Sequence, residues 1–285
     1  MSKEITVQQI INRIKNHPDI SWKDSSVDIL NTGEADALVK GIATSFTASL
    51  DVLKRSVVTG KNLIITQQPA FYQEDHSPSG VGSNPVELLL KNDPTYLFKK
   101  DFIDKHKLVI WRFYDNWNSR KEDGQLLGLA KSLGWEKYHI HNFNSGEKTY
   151  DKKNKYFLLP ECTLSNMVIQ IQNKLNIKGI RVIGDPKTKI KKAAILHGML
   201  QFIDLQDIIQ SEPDVDLIII AEAIEWESPE YFRDLLTWGK KKGMIIIGRE
   251  ASEDPGYGEV ASWLKTFISD VPIAWIPANE PFWIP

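Results

Sequence analysis

Short apolar runs alternate with amphipathic stretches along the chain, and the spacing within each predicts its element. Thr6 with Gln9 three residues on is a capping-box pattern, and Ile10, Ile11 and Ile14 behind it form the stripe of a helix. From residue 34 to about 58 the apolar positions Ala37, Leu38, Ile42, Phe46, Leu50 and Leu53 recur at three- and four-residue spacing, which predicts a second helix ending at Gly60. Other apolar runs are too short for helices and rich in β-branched residues, and these predict strands at 62–66, 108–113, 179–183, 193–196, 216–221 and 244–248. The run Leu-Ile-Ile-Ile at 217–220 is apolar on both faces, as a central strand covered by helices on both sides must be. Ser228, Pro229 and Glu230 predict the start of a helix, and Lys240, Lys241 and Lys242 before Gly243 its end. The expected fold is α/β, with mixed or parallel sheets flanked by helices. The polar, lysine-rich stretch 144–155 predicts a connection between an N-terminal lobe, 1–143, and a C-terminal lobe, 156–285.

Composition narrows the function classes. A net charge of −2 gives no global basic field, which argues against general nucleic-acid binding. The one cysteine, Cys162, excludes an intramolecular disulfide and a cysteine-rich zinc site, and fits a reducing compartment. The opening segment lacks the apolar core of a signal peptide, and no run reaches the ~18 apolar residues of a membrane span, so a soluble, cytoplasmic protein without a membrane partner is expected. There is no Gly-x-Ser-x-Gly elbow and no dyad partner for Cys162, so serine or cysteine hydrolase chemistry has no support.

In sheets of this kind ligands gather beyond the carboxyl ends of the strands. The predicted strands run into Gln67 and Gln68, into Tyr114 and Asp115, into Glu222 and Glu225, and into Arg249, Glu250 and Glu253. If those ends converge, Gln67, Gln68, Asp115, Glu222, Glu225, Arg249 and Glu253 would form a polar ligand-binding cleft. The competing reading is a set of helix-start acids and loop polar groups that share no ligand.

Phrases over nearly the whole chain resemble one branch of the Nif-three-like dinuclear-metal-centre family: residues 27–33, Gly41-Ile42-Ala43-Thr44, residues 62–66, Pro69-Ala70-Phe71-Tyr72, Trp111-Arg112-Phe113, Glu225-Trp226-Glu227, residues 252–256 and Pro281-Phe282-Trp283. The resemblance implies a two-lobed α/β fold, a homo-oligomer that is commonly a toroidal hexamer, and two divalent metals held by histidines and carboxylates in an internal cleft. Some relatives are named GTP cyclohydrolases or metal-dependent hydrolases. Where the family pattern has histidines, this chain has Gln67, Gln68, Arg249, Tyr114 and Asn118, which leaves Asp115 and Glu253 as metal ligands. A glutamine amide is a weak donor and a guanidinium has no lone pair to give. The expectation is therefore no cofactor, or a weakly bound divalent metal, with the charge of Arg249 replacing a metal beside Asp115 and Glu253 or meeting a small anionic ligand. The alternative is a metal-dependent hydrolase of a nucleotide or phosphorylated compound, with Asp115, Glu253 and Glu222 holding one ion.

Further candidates have plainer readings. His139 and His141 would share a face of a strand, but no third ligand is near. His197 ends a predicted strand and reads either as an acid or base lining the cleft or as a hydrogen-bonded structural histidine. The loop 77–84 has two glycines without a phosphate-binding spacing. The apolar, proline-rich run 275–285 is expected to dock on a lobe or on a neighbouring subunit.

Overall fold

The computed structural model describes residues 4–72, 90–140 and 155–284. Two compact units emerge, the first comprising residues 1–120 with 260–278, the second residues 121–259 with 279–285. The division falls at residues 120 and 121; of the stretch 144–155 expected to connect two lobes, residues 144–154 lie outside the described residues. The physical reason is local. Residues 124–133 turn Leu126, Leu129 and Leu133 into the core of the second unit, and residues 273–275 supply a strand to the first.

The sheet of the first unit has the order β1 (Leu30–Thr32), β4 (Val109–Arg112), β3 (Leu63–Thr66), β2 (Ile42–Ser45) and β10 (Ile273–Trp275). All neighbours are parallel except β1 and β4. Ala43, Ile64 and Ile110 lie in one register row and pack with Val52, Leu53 and Ile103. Leu53 comes from α2 (Leu50–Val58) and Ile103 from α3 (Pro94–Lys105). The predicted capping box forms at the start of α1 (Val7–Lys15), with Thr6 and Gln9 bonding reciprocally. The single helix expected over 34–58 does not form. Ile42–Ser45 instead pairs between β3 and β10, and Ser49 caps a helix that begins only at Leu50. The β-branched Ile42 and Thr44 suit a pleated position, and pairing with two long-range partners overrides the helical spacing.

In the second unit the order is β5 (Tyr156–Thr163), β7 (Lys189–Leu200), β8 (Leu217–Ala223), β9 (Gly243–Ile246) and β6 (Arg181–Ile183). The three central strands are parallel and both edges antiparallel. Alternation along β8 is as the sequence requires. Leu217 and Ile219 face a core with Leu129 of α5 (Gly124–Leu133) and Met167 of α6 (Leu164–Leu175), whereas Ile218 and Ile220 face Leu205 of α7 (Phe202–Ser211) and Phe232 of α8 (Ser228–Thr237). Helix α8 starts at Ser228 itself, whose buried hydroxyl makes no hydrogen bond, so the expected serine cap is displaced by one residue.

Helix α9 (Arg249–Leu264) carries Pro255 and Gly256 in its middle and crosses α5 closely. A Cβ on Gly128 would lie 2.4 Å from the Pro255 carbonyl oxygen. Gly128→Ala must therefore push two backbones apart, and we expect a loss of about 2 kcal/mol, as for overpacked cores. Equilibrium denaturation within about 0.5 kcal/mol of wild type, the range of neutral surface changes, would show that the crossing is looser than described.

Candidate functional site

Four side chains of the second unit, Arg249, Glu222, His197 and Asp123, gather around Glu253, which is 2% exposed. Arg249 opens helix α9 and reaches one turn along it, where its Nε donates to Glu253 Oε2 at 2.5 Å. Its Nη1 donates to Glu222 Oε1 at 2.8 Å, from the end of β8. A cation at a helix N-terminus opposes the helix dipole, so the two carboxylates offset a local cost. Burial disfavours the guanidinium charge, but Glu253 and Glu222 outweigh it and hold the group protonated even more firmly than usual.

On the other side of Glu253 stands His197, whose Nδ1 lies 3.7 Å from Glu253 Oε1. Its Nε2 lies 2.8 Å from Asp123 Oδ2. Asp123 also caps α5, accepting from the backbone N–H groups of Gln125 and Leu126. The register of β7 shifts between Leu196 and Met199, and Gly198 takes a left-handed φ of +85°. This is how an irregular strand re-aims a side chain. Burial works against an imidazolium, yet Asp123 and Glu253 raise the His197 pKa to about 9. At neutral pH the cluster thus holds two cations among three carboxylates.

A different carboxylate in the same helix is poorly served. Glu250 Oε2 is buried without a hydrogen-bond partner, and burial, then Asp254 and Glu280, push its pKa up to about 7. A carboxyl raised above its ordinary 4.5 imposes no penalty below that pH and a growing one as pH rises to about 7. Glu250→Gln should therefore melt at the wild-type temperature near pH 4 and several degrees higher at pH 8. An equal shift at both pH values would rule out charge as the cause.

The expected site residues of the first unit are engaged in holding loops. Gln67 is fully buried, its carbonyl accepts from Arg112 Nε at 2.8 Å, and the backbone N–H groups of Gln67 and Gln68 both donate to the Phe46 carbonyl. The Gln68 carbonyl accepts from Thr66 Oγ1. Asp115 Oδ2 accepts from the Val27 N–H at 2.9 Å. Asp28 in turn accepts from the backbone N–H groups of Tyr114, Asp115 and Asn116, which fixes the short helix α4 (Asp115–Asn118). Glu225 is absent from the Arg249 cluster and pairs with Arg181 at the surface. His139 is buried against Phe157, while His141 and the loop 77–84 lie outside the described residues.

Of the residues singled out in the sequence, Glu222, Arg249, Glu253 and His197 lie together in this cluster, and Asp123, which joins them, was not singled out. The one signal for Asp123 was its place before a helix, which predicts a cap and says nothing of a histidine.

A dinuclear centre needs carboxylate oxygens and imidazole nitrogens free to ligate. In the second unit Glu253 Oε2 is taken by a guanidinium, Asp123 Oδ1 by a helix cap and Asp123 Oδ2 by His197. These donors do not fit two metal ions, and among the described residues no group of three His, Cys, Asp or Glu side chains is placed to hold one.

No family model matches the chain. Over 283 residues, 97% of this chain and 98% of the relative, it is 25% identical to a GTP cyclohydrolase 1 type 2 homolog of Clostridium perfringens. Among solved structures, a Staphylococcus aureus protein has a TM-score of 0.68 at 16% identity, covering 98% of this chain and 99% of that one. A Bacillus cereus protein related to NIF3 has a TM-score of 0.68 at 14% identity, covering 99% and 100%. The chain is similar to Nif-three-like proteins and shares their fold. Like those folds, it has two mixed sheets flanked by helices, and among its described residues no helix is long and apolar enough to cross a membrane.

Proposed function

We propose that this protein works without the dinuclear metal centre, as a binding or assembly member of the Nif-three-like family rather than a hydrolase. The observation that carries the reading is the grip on Glu253. Its carboxylate is buried between Arg249 and His197, so fixed side-chain charges stand where a divalent ion would be needed. A hydrolase of the kind suggested by the relatives' name would need an ion to activate water, and such an ion would first have to displace a bonded guanidinium.

A small anionic ligand would reach Arg249 by way of Glu222, the more exposed of the two carboxylates that bond it. A phosphate or carboxylate would replace Glu222 at Nη1, and Glu222→Gln would strengthen its binding.

The test is thermal melting with and without saturating zinc or manganese, and with a chelator. A ligand present at 100 times its Kd stabilises the native state by about 2.7 kcal/mol, which is several degrees of Tm. We expect no shift from either treatment. A rise with metal together with a fall in chelator would count against the proposal and make nucleotide hydrolysis the next assay.

A further inference from the structure

In the second unit the segment 279–284 is held by one side chain. Among the described residues its hydrogen bonds are those of Glu280, which accepts from the backbone N–H groups of Lys178 at 2.8 Å and Gly179 at 2.6 Å. The notch fits that carboxylate closely, since a Cβ on Gly179 would overlap Glu280 Oε1. Beyond Glu280, Phe282 and Trp283 are 73% and 77% exposed and add little hold.

A second carboxyl stands near this latch. Glu250, on α9, has Oε2 buried without a hydrogen-bond partner. The charged groups that face it are both acids: Asp254, one turn along the same helix, and Glu280 from the segment. No Lys, Arg or His among the described residues pairs with it. Glu250 is therefore neutral in mild acid and ionises around pH 7. Repulsion between like charges is mutual, so the effect of Glu280 on Glu250 acts back on the latch.

We propose that the segment 279–284 is a pH-operated strap, seated on the Gly179 notch while Glu250 is neutral and loosened when Glu250 ionises beside Glu280. With the strap away, Glu250 faces one like charge fewer and ionises more readily, so rising pH favours the open form. Opening frees the N–H groups of Lys178 and Gly179, two adjacent backbone donors that the strap otherwise occupies. The strap does not depend on whether the Arg249 cluster binds a metal.

Hydrogen exchange at the Lys178 and Gly179 amides of the full chain, corrected for the intrinsic rate at each pH, follows the latch itself. Their protection is expected to fall about threefold between pH 6 and pH 8, the size of one modest charge–charge repulsion. Glu250→Gln should keep the pH 6 protection at pH 8, because its side chain cannot ionise. Gly179→Ala should lower protection at both pH values by crowding out the Glu280 carboxylate. The amides of Ile218, Ile219 and Ile220 in the central strand β8 are the reference and should not change. Wild-type protection that is the same at both pH values, a fall that persists in Glu250→Gln, or Gly179→Ala protected like wild type would each overturn the proposal. So would a parallel fall at β8 in the wild type, because the opening would then be global.

Discussion

Arg249→Ala is expected to lower the unfolding free energy by about 3 kcal/mol, the lower end of the range for breaking a buried ion pair. The lower end applies because the Arg249 and Glu222 side chains each keep about a third of their surface in water, where screening weakens the pair. The loss comes from Glu253, which stays buried without its guanidinium partner, with His197 at 3.7 Å. Arg249→Lys should recover only part of it, because an ammonium is a point charge and cannot bond Glu253 through Nε and Glu222 through Nη1 as the guanidinium does. Adding Glu253→Gln to Arg249→Ala should restore some stability by removing the stranded charge, and urea denaturation of the four proteins measures the coupling. Additive losses would mean that Arg249 and Glu253 do not depend on one another.

The second large effect is a pH dependence carried by His197. Its pKa is raised from 6.5 to about 9, so the native state binds the proton more tightly than the unfolded chain. The stabilisation is fully present below about pH 6.5 and is lost as pH rises through about 9. At 1.36 kcal/mol per pH unit the total is about 3 kcal/mol. His197→Gln removes this term, so the gap in stability between wild type and variant should be widest near pH 6 and shrink by that amount toward pH 10. Taking the difference cancels Glu250, whose own window lies lower, between 4.5 and about 7. A gap that stays constant from pH 6 to 10 would mean that the imidazole is neutral in the folded protein, and that Glu253 has one cationic partner instead of two.

The fold was more legible than the site because its signals are local. Apolar runs such as 217–220 have one solution in a covered sheet, and alternate residues of β8 do face the two cores. Where local pattern and long-range pairing compete the reading failed. Ile42–Ser45 has helical spacing on either side but pairs between β3 and β10. Strand β5 was hidden by Pro160, which the edge of the sheet tolerates, at a place where the register shifts. The run 275–285 was expected to dock on a lobe or on a neighbouring subunit; Ile276 and Ala278 lie in the core of the first unit, and Phe282 and Trp283 are exposed.

In the site, Arg249 and Glu253 are four apart on one helix, and that pairing follows from sequence spacing alone. The role of His197 depends on an irregularity in β7 and on a carboxylate 74 residues away, neither of which spacing reveals.

The central claim is that fixed cations have taken the place of the metal centre, and elemental analysis of the untagged protein tests it most directly. The protein would be purified without chelators, soaked in zinc, manganese or iron, and freed of excess ion before counting. The account predicts metal far below one equivalent per chain in every case, with Arg249→Ala no richer in metal than the weak, exchangeable background. One or two equivalents retained through buffer exchange would contradict it, because the carboxylates of the cluster would then hold an ion in place of Arg249 and His197.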